Sequence, residues 1–362
     1  MRVVSLLTPS PGNPGANDRI SGVHEGVPFE FACGPRTRAR SFLGRRLLEA
    51  KVPLGLSRAA VRLFRGDAGP GAIIAHTHQP AWLVFMAVLA KLLGAKCIVE
   101  LCELPFVRER PSASRAVRLW LQDALAYRMV DGFIAISTNL EEYATVHSHG
   151  RSCIIRVPIL VAVDEFDVGG ARAGAGTVRE IVYLGDLGHE GEISDLLDAF
   201  SLVAALHEDV RLQLVGDAQP ERRARIAARV TELGLDQRVV FVGAVQQSEL
   251  PAILGKATAH VLLRRDAAFS QAGFPTKLGE YLASGRPVVV TTTGDIRAYL
   301  TDGVDAYLVP PGDPPRFAEQ LRHVLDHEDE ARQVGAHGRA LVARRFDYRR
   351  HGKRLNAFIR SL

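Results

Sequence analysis

Short apolar runs alternate along the chain with longer segments in which apolar residues recur every three to four positions. The short runs are rich in valine, isoleucine and leucine, which is typical of buried parallel strands, and the longer segments have helical periodicity. This alternation predicts an α/β fold. The runs lie at residues 3–7, 72–75, 96–102, 131–137 and 154–157 in the first half, and at 180–185, 212–216, 239–243, 259–263 and 288–290 in the second.

A stretch rich in glycine and alanine, residues 169–176, separates the two series of strands. It has no core pattern and is typical of a flexible linker. We therefore predict two Rossmann-like domains whose parallel sheets face an interdomain cleft, a favoured place for ligands. The first domain takes residues 1–165, the linker 166–178 and the second domain 179–345, and residues 346–362 form an amphipathic terminal helix.

The stretch FPTKLGEYLASGRPVVVTTT, residues 274–293, contains the clearest candidate chemistry. Thr276 is expected to cap a short helix that Gly285 ends, and a buried strand follows. Lys277 and Glu280 lie near the helix start, where free N–H groups and the helix dipole favour a phosphate. The Glu280 carboxylate could accept hydrogen bonds from the two hydroxyls of a ribose. The alternative is a capped surface helix with a solvated lysine and glutamate.

Charge is distributed unevenly between the two halves. Of 45 Lys+Arg and 40 Asp+Glu, residues 1–165 contain 20 and 14, a balance of +6, and the remainder has a balance of −1. Basic residues cluster at 36–40, 45–46 and 108–118, with Phe42, Leu43, Leu47 and Leu48 interleaved around the first two clusters. This pattern fits either peripheral contact with an anionic membrane or a solvated basic face. Nucleic acid binding is disfavoured because no stacking aromatic residues accompany the arginines.

Hydrophobic and charged contents of 47% and 23% are those of a soluble globular protein. The four cysteines show no metal or disulfide spacing, so a reducing cytoplasm is expected. The first apolar run is too short for a signal peptide, and the longest, residues 81–93, is too short for a membrane span. We therefore expect a cytoplasmic protein, with any membrane contact peripheral on the inner face.

The first half offers two groups of candidate residues. A loop rich in glycine and proline follows the first strand; it lacks the GxGxxG pattern of a nicotinamide enzyme, and its backbone could approach a ligand. Glu100 and Glu103 lie near the end of another strand, where open α/β sheets bind ligands. Glu103 could hydrogen-bond or accept a proton from a substrate, or pair with Arg108 or Arg110. His76 and His78 suggest a metal, but no third ligand lies nearby in sequence, so no metal site is expected.

The stretch FPTKLGEYLASGRPVVVT resembles the nucleotide-sugar signature of retaining glycosyltransferases of the GT-B fold, glycosyltransferase family 4 in particular. That family usually has two glutamates eight positions apart. Glu280 matches the second, whereas Ala272 occupies the position of the first, as in a subgroup with a Phe-Pro-x-Lys loop. The segment DGFIAIS, residues 131–137, resembles another family segment near the end of the first domain. The terminal helix resembles one that crosses back onto the first domain.

The resemblance implies a donor site in the second domain. Glu280 would hold the donor ribose, and the loop after Gly243 would contact the base. The family's diphosphate-binding arginine is replaced by Asp186 and its lysine by His189, so other cations must compensate. Lys277 with Arg264 or Arg265 are the candidates. The full set of expected donor-site residues is Gly185, His189, Gly216, Val245, Arg264, Arg265, Phe274, Pro275, Thr276, Lys277 and Glu280.

The resemblance also implies an acceptor side in the first domain. The loop after the first strand would face the transferred sugar through Gly12, Asn13, Gly15 and Ala16, and Glu103 takes the place of a family histidine that faces the sugar. The activity implied is a metal-independent, retaining transfer from a nucleotide-diphosphate sugar to a hydroxyl of a small molecule, glycan or lipid-linked glycan, without a cofactor. A nucleotide-sugar epimerase and a non-catalytic partner subunit remain open, the latter because of Ala272, Asp186 and His189.

Overall fold

The computed structural model describes residues 3–5, 21–24, 26–31, 42–64, 71–105, 112–166 and 178–362. The predicted acceptor loop with Gly12, Asn13, Gly15 and Ala16, the predicted linker at 169–176, and the arginines 108 and 110 lie outside these residues.

The described strands form three sheets, and most pairs are parallel. In the first half the strands are β1 (Val3–Ser5), β2 (Ser21–His24), β3 (Val27–Phe31), β4 (Ala72–Ala75), β5 (Lys96–Leu101), β6 (Gly132–Ala135) and β7 (Cys153–Arg156). In the second half they are β8 (Arg179–Leu184), β9 (Val210–Val215), β10 (Val239–Gly243), β11 (Ala259–Leu262), β12 (Val288–Thr291) and β13 (Tyr307–Val309).

Helices connect these strands in both halves. They are α1 (Phe42–Phe64), α2 (Pro80–Leu92), α3 (Ala113–Leu121), α4 (Thr138–His147), α5 (Glu190–Ala204), α6 (Pro220–Glu232), α7 (Leu250–Lys256), α8 (Ala268–Ala272), α9 (Thr276–Ala283), α10 (Ile296–Tyr299), α11 (Pro314–Asp326), α12 (Glu328–Arg345) and α13 (Tyr348–Ser361). None of the helices in the described ranges combines the length and apolarity that crossing a bilayer requires.

The second-half sheet has the order β10-β9-β8-β11-β12-β13, with every pair parallel. Numbered from β8, this is the order 3-2-1-4-5-6 of a doubly wound nucleotide-binding fold, which binds ligands beyond the carboxyl ends of the strands where the order reverses. That point lies between β8 and β11. The predicted α/β fold with two Rossmann-like domains is confirmed.

The first half has a parallel sheet of order β4-β5-β6-β7 and a smaller sheet of order β1-β3-β2. In the smaller sheet β2 runs antiparallel to β3, a pairing that the sequence did not predict. Helix α3 is followed by irregular structure: it ends at Leu121, and a π turn and a 3₁₀ turn follow. Within the π turn, the Gln122 side chain donates a hydrogen bond of 2.7 Å to the buried Tyr127 hydroxyl, which fixes the irregular path.

Helix α9 lies in the core of the second domain. Leu278, Tyr281 and Leu282 are buried, and the Tyr281 hydroxyl accepts a 2.5 Å hydrogen bond from the Leu184 N–H at the end of β8. Side chains from residues 159–166 join the same core, although the sequence assigned most of that segment to the first domain. A Cβ on Gly279 would lie 3.1 Å from Ile159, so the segment packs tightly over α9 at this glycine.

The terminal helix α13 packs against the sheet of the first domain. Its apolar face covers Ile98 and Ile134 of β5 and β6, and the contact is close at Gly132, where an added Cβ would meet Phe358 at 3.0 Å. The residues of α13 and its end that pack here are Leu355, Phe358, Ile359 and Leu362. A helix that follows the second domain in sequence therefore covers the core of the first.

Candidate functional site

At the carboxyl edge of the second sheet, a glycine ends or directly follows each of three neighbouring strands: Gly185 after β8, Gly216 after β9 and Gly243 at the end of β10. Gly185 donates a hydrogen bond to the Val215 carbonyl at 3.0 Å, and Gly216 donates one to the Gly243 carbonyl at 2.9 Å. Gly216 has φ 137°, and a Cβ there would overlap the carbonyl oxygen of Gly185. Only glycine fits at position 216, because both the positive φ and the close contact with the Gly185 backbone exclude a side chain. The resulting surface lets a ligand approach the backbone directly.

The start of α9 differs from the sequence prediction in one detail. Pro275, with extended backbone, is the N-cap residue, and Thr276 is the first helical residue. The prediction that Thr276 caps the helix is therefore wrong: Pro275 has the fixed φ that suits this position but no side chain that could cap. The first turn of α9 has no side-chain cap. The predicted helix end is confirmed, since Gly285 has φ 74°.

Phe274 anchors the loop before α9. Its ring is buried and packs edge-on against Tyr299, with centroids 5.3 Å apart, and against Phe346 at 5.9 Å. This residue was expected in the donor site. The structure gives it a packing role that holds the beginning of α9 in place.

Glu280 combines burial with an unsatisfied carboxylate oxygen. Its Oε1 accepts a long hydrogen bond of 3.4 Å from Gln247, in the turn after β10, while Oε2 is buried with no hydrogen-bond partner among the described residues. Burial raises the pKa of Glu280 above its usual value, against the opposing effects of Gln247 and Lys277. A buried acceptor without a partner is costly and rare, so this oxygen is a candidate for contact with a ligand. Val245, in the same turn, packs against the domain core.

A second group of side chains surrounds Phe269, just before α9. The His189 ring, at the N-cap of α5, stacks on Phe269 with centroids 5.8 Å apart and planes 14° apart. The Arg264 guanidinium, beyond the end of β11, lies 5.8 Å from the same ring. Both cationic candidates are thus held beside the point where the strand order reverses.

Glu192 lies in the first turn of α5, close to these cations. It is buried, and its Oε1 has no hydrogen-bond partner in the part of the chain that the structure describes. Burial raises the pKa of the Glu192 carboxyl, and the charges of His189, Arg264 and Arg265 oppose that rise. The α5 N-terminus therefore contains an acidic group that burial shifts toward its neutral form.

The other charges around α5 are already paired. Arg265 holds Asp195 through two hydrogen bonds of 2.6 Å, so its charge is neutralised on the flank of α5. Arg225 of α6 pairs with Glu190 in the same bidentate way, and this hydrogen bonding lowers the pKa of Glu190. Asp186 accepts a hydrogen bond of 2.8 Å from the Gly188 N–H and closes the loop before α5. Of the two predicted arginines, Arg264 is therefore the one placed beside His189.

The first domain places a cluster of titratable groups at the ends of β4 and β5. His76 Nδ1 lies 3.2 Å from a Glu100 oxygen, and hydrogen bonds with Cys102 and Glu100 raise the pKa of His76 to about 10. Burial lowers the pKa of His78, and the charge of Glu103 opposes that change. The sequence argument against a metal considered only ligands close to the two histidines along the chain. The sheet brings Glu100, 24 residues away, and Cys102 beside His76, so that argument does not exclude a metal site in three dimensions.

The ends of β4 and β5 face the second domain. A Cβ on Gly273, in the loop between α8 and α9, would lie 3.9 Å from the Cys102 carbonyl oxygen. The Ser137 hydroxyl, at the start of α4, donates a hydrogen bond to the carbonyl of Ala272, the residue in place of the first family glutamate. Glu103 directly follows Cys102, so its backbone lies next to this contact between the domains.

The structure adds residues that the sequence analysis missed. Gln247 touches Glu280, Phe269 supports His189 and Arg264, and Glu192 lies among the cations. The polarity of Gln247, in the turn expected to contact a base, was a usable signal. Phe269 and Glu192 gave no local signal, because their roles come from packing between distant elements.

Two family profiles match the chain, one in each half. Residues 2–158 match "Glycosyl transferase 4-like domain", and residues 178–327 match "Glycosyl transferases group 1". Among curated proteins, the mannosylfructose-phosphate synthase of Agrobacterium fabrum is 30% identical over 168 residues, 44% of this chain and 36% of that protein. The MMP alpha-(1->4)-mannosyltransferase of Mycolicibacterium hassiacum is 26% identical over 258 residues, 67% of this chain and 60% of that protein. The chain thus spans less than two thirds of the length of these relatives.

Solved structures share the fold over nearly the whole chain. The sucrose-phosphate synthase of Thermosynechococcus elongatus superposes with a TM-score of 0.74 at 21% identity, covering 99% of this chain and 88% of that one. HepE of Anabaena, in complex with UDP, superposes with a TM-score of 0.69 at 17% identity, covering 93% and 87%. At identities this low, the superpositions show a shared fold and nothing further.

Proposed function

The chain belongs to the glycosyltransferase family 4-like proteins of the GT-B fold, and we propose that it transfers a sugar from a nucleotide-diphosphate sugar to an acceptor hydroxyl with retention of configuration. The donor would lie against the second domain and the acceptor against the first. Relatives named as a synthase and a mannosyltransferase, and a fold neighbour in complex with UDP, support this class of reaction.

The observation that carries the proposal is the Glu280 carboxylate. It is buried, one oxygen has no partner within the described residues, and the turn with Val245 and Gln247 lies beside it. A ribose would offer two hydroxyl donors to the carboxylate, while the turn would contact the base. Two such hydrogen bonds to a charged group would offset the cost of burying it. A purely structural glutamate would be expected to have a protein partner for each oxygen.

The diphosphate would be held by positive groups at the carboxyl edge of the sheet. Helices α5 and α9 both begin there without side-chain caps, and their N–H groups attract anions. Lys277 and Arg264 would add full charges, with His189 beside Arg264 around Phe269. Arg265 is the weaker candidate because Asp195 already neutralises it. The replacement of the family arginine by Asp186 would thus be compensated from α9 and β11.

These cations would also serve the chemistry. Retaining transfer passes through an oxocarbenium-like state in which charge builds up on the departing diphosphate. Fixed cations and helix N-termini stabilise that charge without a metal ion at the diphosphate. Glu103 of the first domain is proposed to hydrogen-bond or accept a proton from the acceptor. Closure of the two domains would exclude water from the reacting groups.

The direct test is binding followed by turnover. A panel of nucleoside diphosphates is screened by thermal shift, and the sugar nucleotide with the best-bound base is then incubated with the protein. Release of the nucleoside diphosphate, with an α-anomeric product by NMR from an α-linked donor, supports retaining transfer. A β-anomeric product would overturn retention. Binding without any turnover would favour the non-catalytic subunit, and an altered sugar still attached to the nucleotide would favour the epimerase.

Membrane contact stays a separate proposal. The balance of +6 in residues 1–165 motivates it, at about 1 kcal/mol of attraction per basic residue near an anionic surface. Flotation with anionic and with neutral vesicles at low salt tests it. Co-migration with anionic vesicles that disappears at high salt is expected, and no co-migration would leave a soluble acceptor as the better proposal.

A further inference from the structure

Three metal-ligating side chains of different chemistry meet at the carboxyl ends of β4 and β5. They are His76, Glu100 and Cys102, and one ligand atom of each lies within 4.8 Å of the other two. Within the described residues, no other group of three such side chains meets this distance. The cluster lies outside the donor site of the second domain and makes no use of the residues assigned to it.

The sheet geometry accounts for the cluster. Strands β4 and β5 are parallel, and Ala75 pairs with Val99, so the next residues, His76 and Glu100, emerge side by side. Cys102 follows Glu100 by two positions, the spacing that returns a side chain to the same face of an extended chain. Glu100 lies on β5, and His76 and Cys102 directly follow the ends of β4 and β5, so the paired strands set the spacing of the three donors. The His76 Nδ1 to Glu100 Oε2 distance is 3.2 Å.

We propose that His76, Glu100 and Cys102 form a binding site for a thiophilic divalent cation, with Zn²⁺ as the best match. Zinc takes imidazole nitrogen, thiolate sulfur and carboxylate oxygen at about 2.0–2.3 Å, which requires ligand atoms as close together as these. A hard cation such as Mg²⁺ or Ca²⁺ would not use the thiol. The mixed N, O and S set therefore selects the cation.

The site is open on one side. The His76 side chain is 69% exposed and that of Glu100 is 42% exposed, so a cation can enter from solvent. Three protein ligands leave the fourth position of tetrahedral zinc for water or another oxygen ligand. A bound cation would displace the proton from His76 and replace its pairing with Glu100.

The test uses the full chain, stripped of metal with a chelator and kept reduced. Zinc is titrated in competition with a chromophoric chelator, and Co²⁺ is added as a spectroscopic probe of thiolate ligation. We expect saturable zinc binding and a thiolate-to-cobalt charge-transfer band. Cys102→Ser should abolish that band. Removing a group that only hydrogen-bonds to a zinc ligand weakens zinc binding by about 10–100-fold. Removing a ligand itself should cost at least as much, so Cys102→Ser and His76→Gln should each weaken zinc binding by at least about tenfold.

Two matched controls address the other thiols and histidines. Cys153→Ser removes an exposed free thiol on β7, and His147→Gln removes a histidine that, with His149, flanks Asp123. Both should bind zinc as the parent does. Circular dichroism checks that each variant is folded, and His76→Gln keeps the thiol if Cys102→Ser fails to fold.

Zinc binding that survives both cluster substitutions, or that is lost only in His147→Gln, would overturn the proposal. So would the absence of saturable binding by the parent protein. Because the measurement contains no nucleotide or sugar, its outcome is independent of the proposed transfer reaction.

Discussion

The Asp295 carboxylate of the second domain caps a helix of the first domain at Thr138. One oxygen of Asp295, Oδ2, accepts hydrogen bonds from the Thr138 backbone N–H at 2.7 Å and from its hydroxyl at 3.0 Å. Thr138 is the first residue of α4, so a negative charge meets the positive end of that helix. Asp295 is itself buried. The two domains are therefore joined by an electrostatic contact in addition to their apolar packing.

Replacing Asp295 by alanine should destabilise the protein by about 1–3 kcal/mol, because the helix N-terminus loses a buried charged acceptor. Asp295→Asn keeps one acceptor oxygen and should cost less. The free energy of unfolding is measured in urea. Asp329→Ala, on the exposed side of α12, is the matched control and should change little. Equal stabilities of Asp295→Ala and the parent would show that the interdomain contact contributes nothing.

Glu280→Ala should weaken binding of the best nucleoside diphosphate by about 3 kcal/mol, since two charge-assisted hydrogen bonds are lost. Glu280→Gln should be milder because it keeps one acceptor. Affinities are measured by calorimetry, and Glu142→Ala, on the exposed face of α4, is the control. Since burial raises the pKa of Glu280, the parent's affinity should fall as the pH drops through that raised value. Unchanged affinity in Glu280→Ala would remove Glu280 from the donor site.

Lys277→Ala and Arg264→Ala should weaken the binding of a nucleoside diphosphate more than that of the nucleoside. Each removes a charge that acts on the phosphates and leaves the ribose and base contacts intact. Arg265→Ala should have a smaller effect, because Asp195 neutralises Arg265. Calorimetry with the two ligands separates the cases. Equal losses for both ligands would assign these residues to folding, and a larger effect of Arg265 than of Arg264 would reverse the assignment.

The buried His260 should make the protein sensitive to acid. Burial, and then the charge of Arg286, lower the pKa of His260 to about 3, and its ring stacks on Tyr281 at 4.6 Å. Because the pKa of His260 is lower in the folded state than the unfolded value of about 6.5, the unfolded chain takes up a proton first as the pH falls. The free energy of unfolding should therefore decrease below about pH 6.5, by about 2 kcal/mol at pH 5. His260→Phe keeps a ring there and should reduce that loss.

The measurement is the change in unfolding free energy between pH 7.5 and pH 5. His337→Asn, at an exposed position of α12, is the control and should retain the parent's acid sensitivity. If His260→Phe is folded and loses as much stability as the parent, another group causes the acid sensitivity.

Much of the fold could be predicted because its signals are local. The valine run of β12, the positive φ at Gly285 and the strand-ending glycines are each specified by a few adjacent residues. The fold was therefore predictable to within a few residues at most element ends. Irregular local structure, such as the π turn after α3, was not, because the hydrogen bond from the Gln122 side chain to the Tyr127 hydroxyl leaves no apolar pattern in the sequence.

The candidate site was harder to predict because its contacts join distant residues. Gln247 and Glu280 are 33 residues apart, and Arg265 and Asp195 are 70 apart. The sequence identified Glu280 but not its neighbour, and it could not show that Arg265 is paired with Asp195. The cluster at His76 was missed for the same reason, since strand register brings it together.

The position of α13 limits how the chain can be divided. A fragment beginning at residue 178 would expose Phe358, Ile359 and Leu362 to water, and a fragment ending at residue 166 would leave Ile98 and Ile134 uncovered on one face. The second domain also depends on residues 159–166, because a fragment that lacks them leaves a gap over Gly279. Expressing the halves separately would therefore expose these apolar surfaces to water and invites aggregation through them.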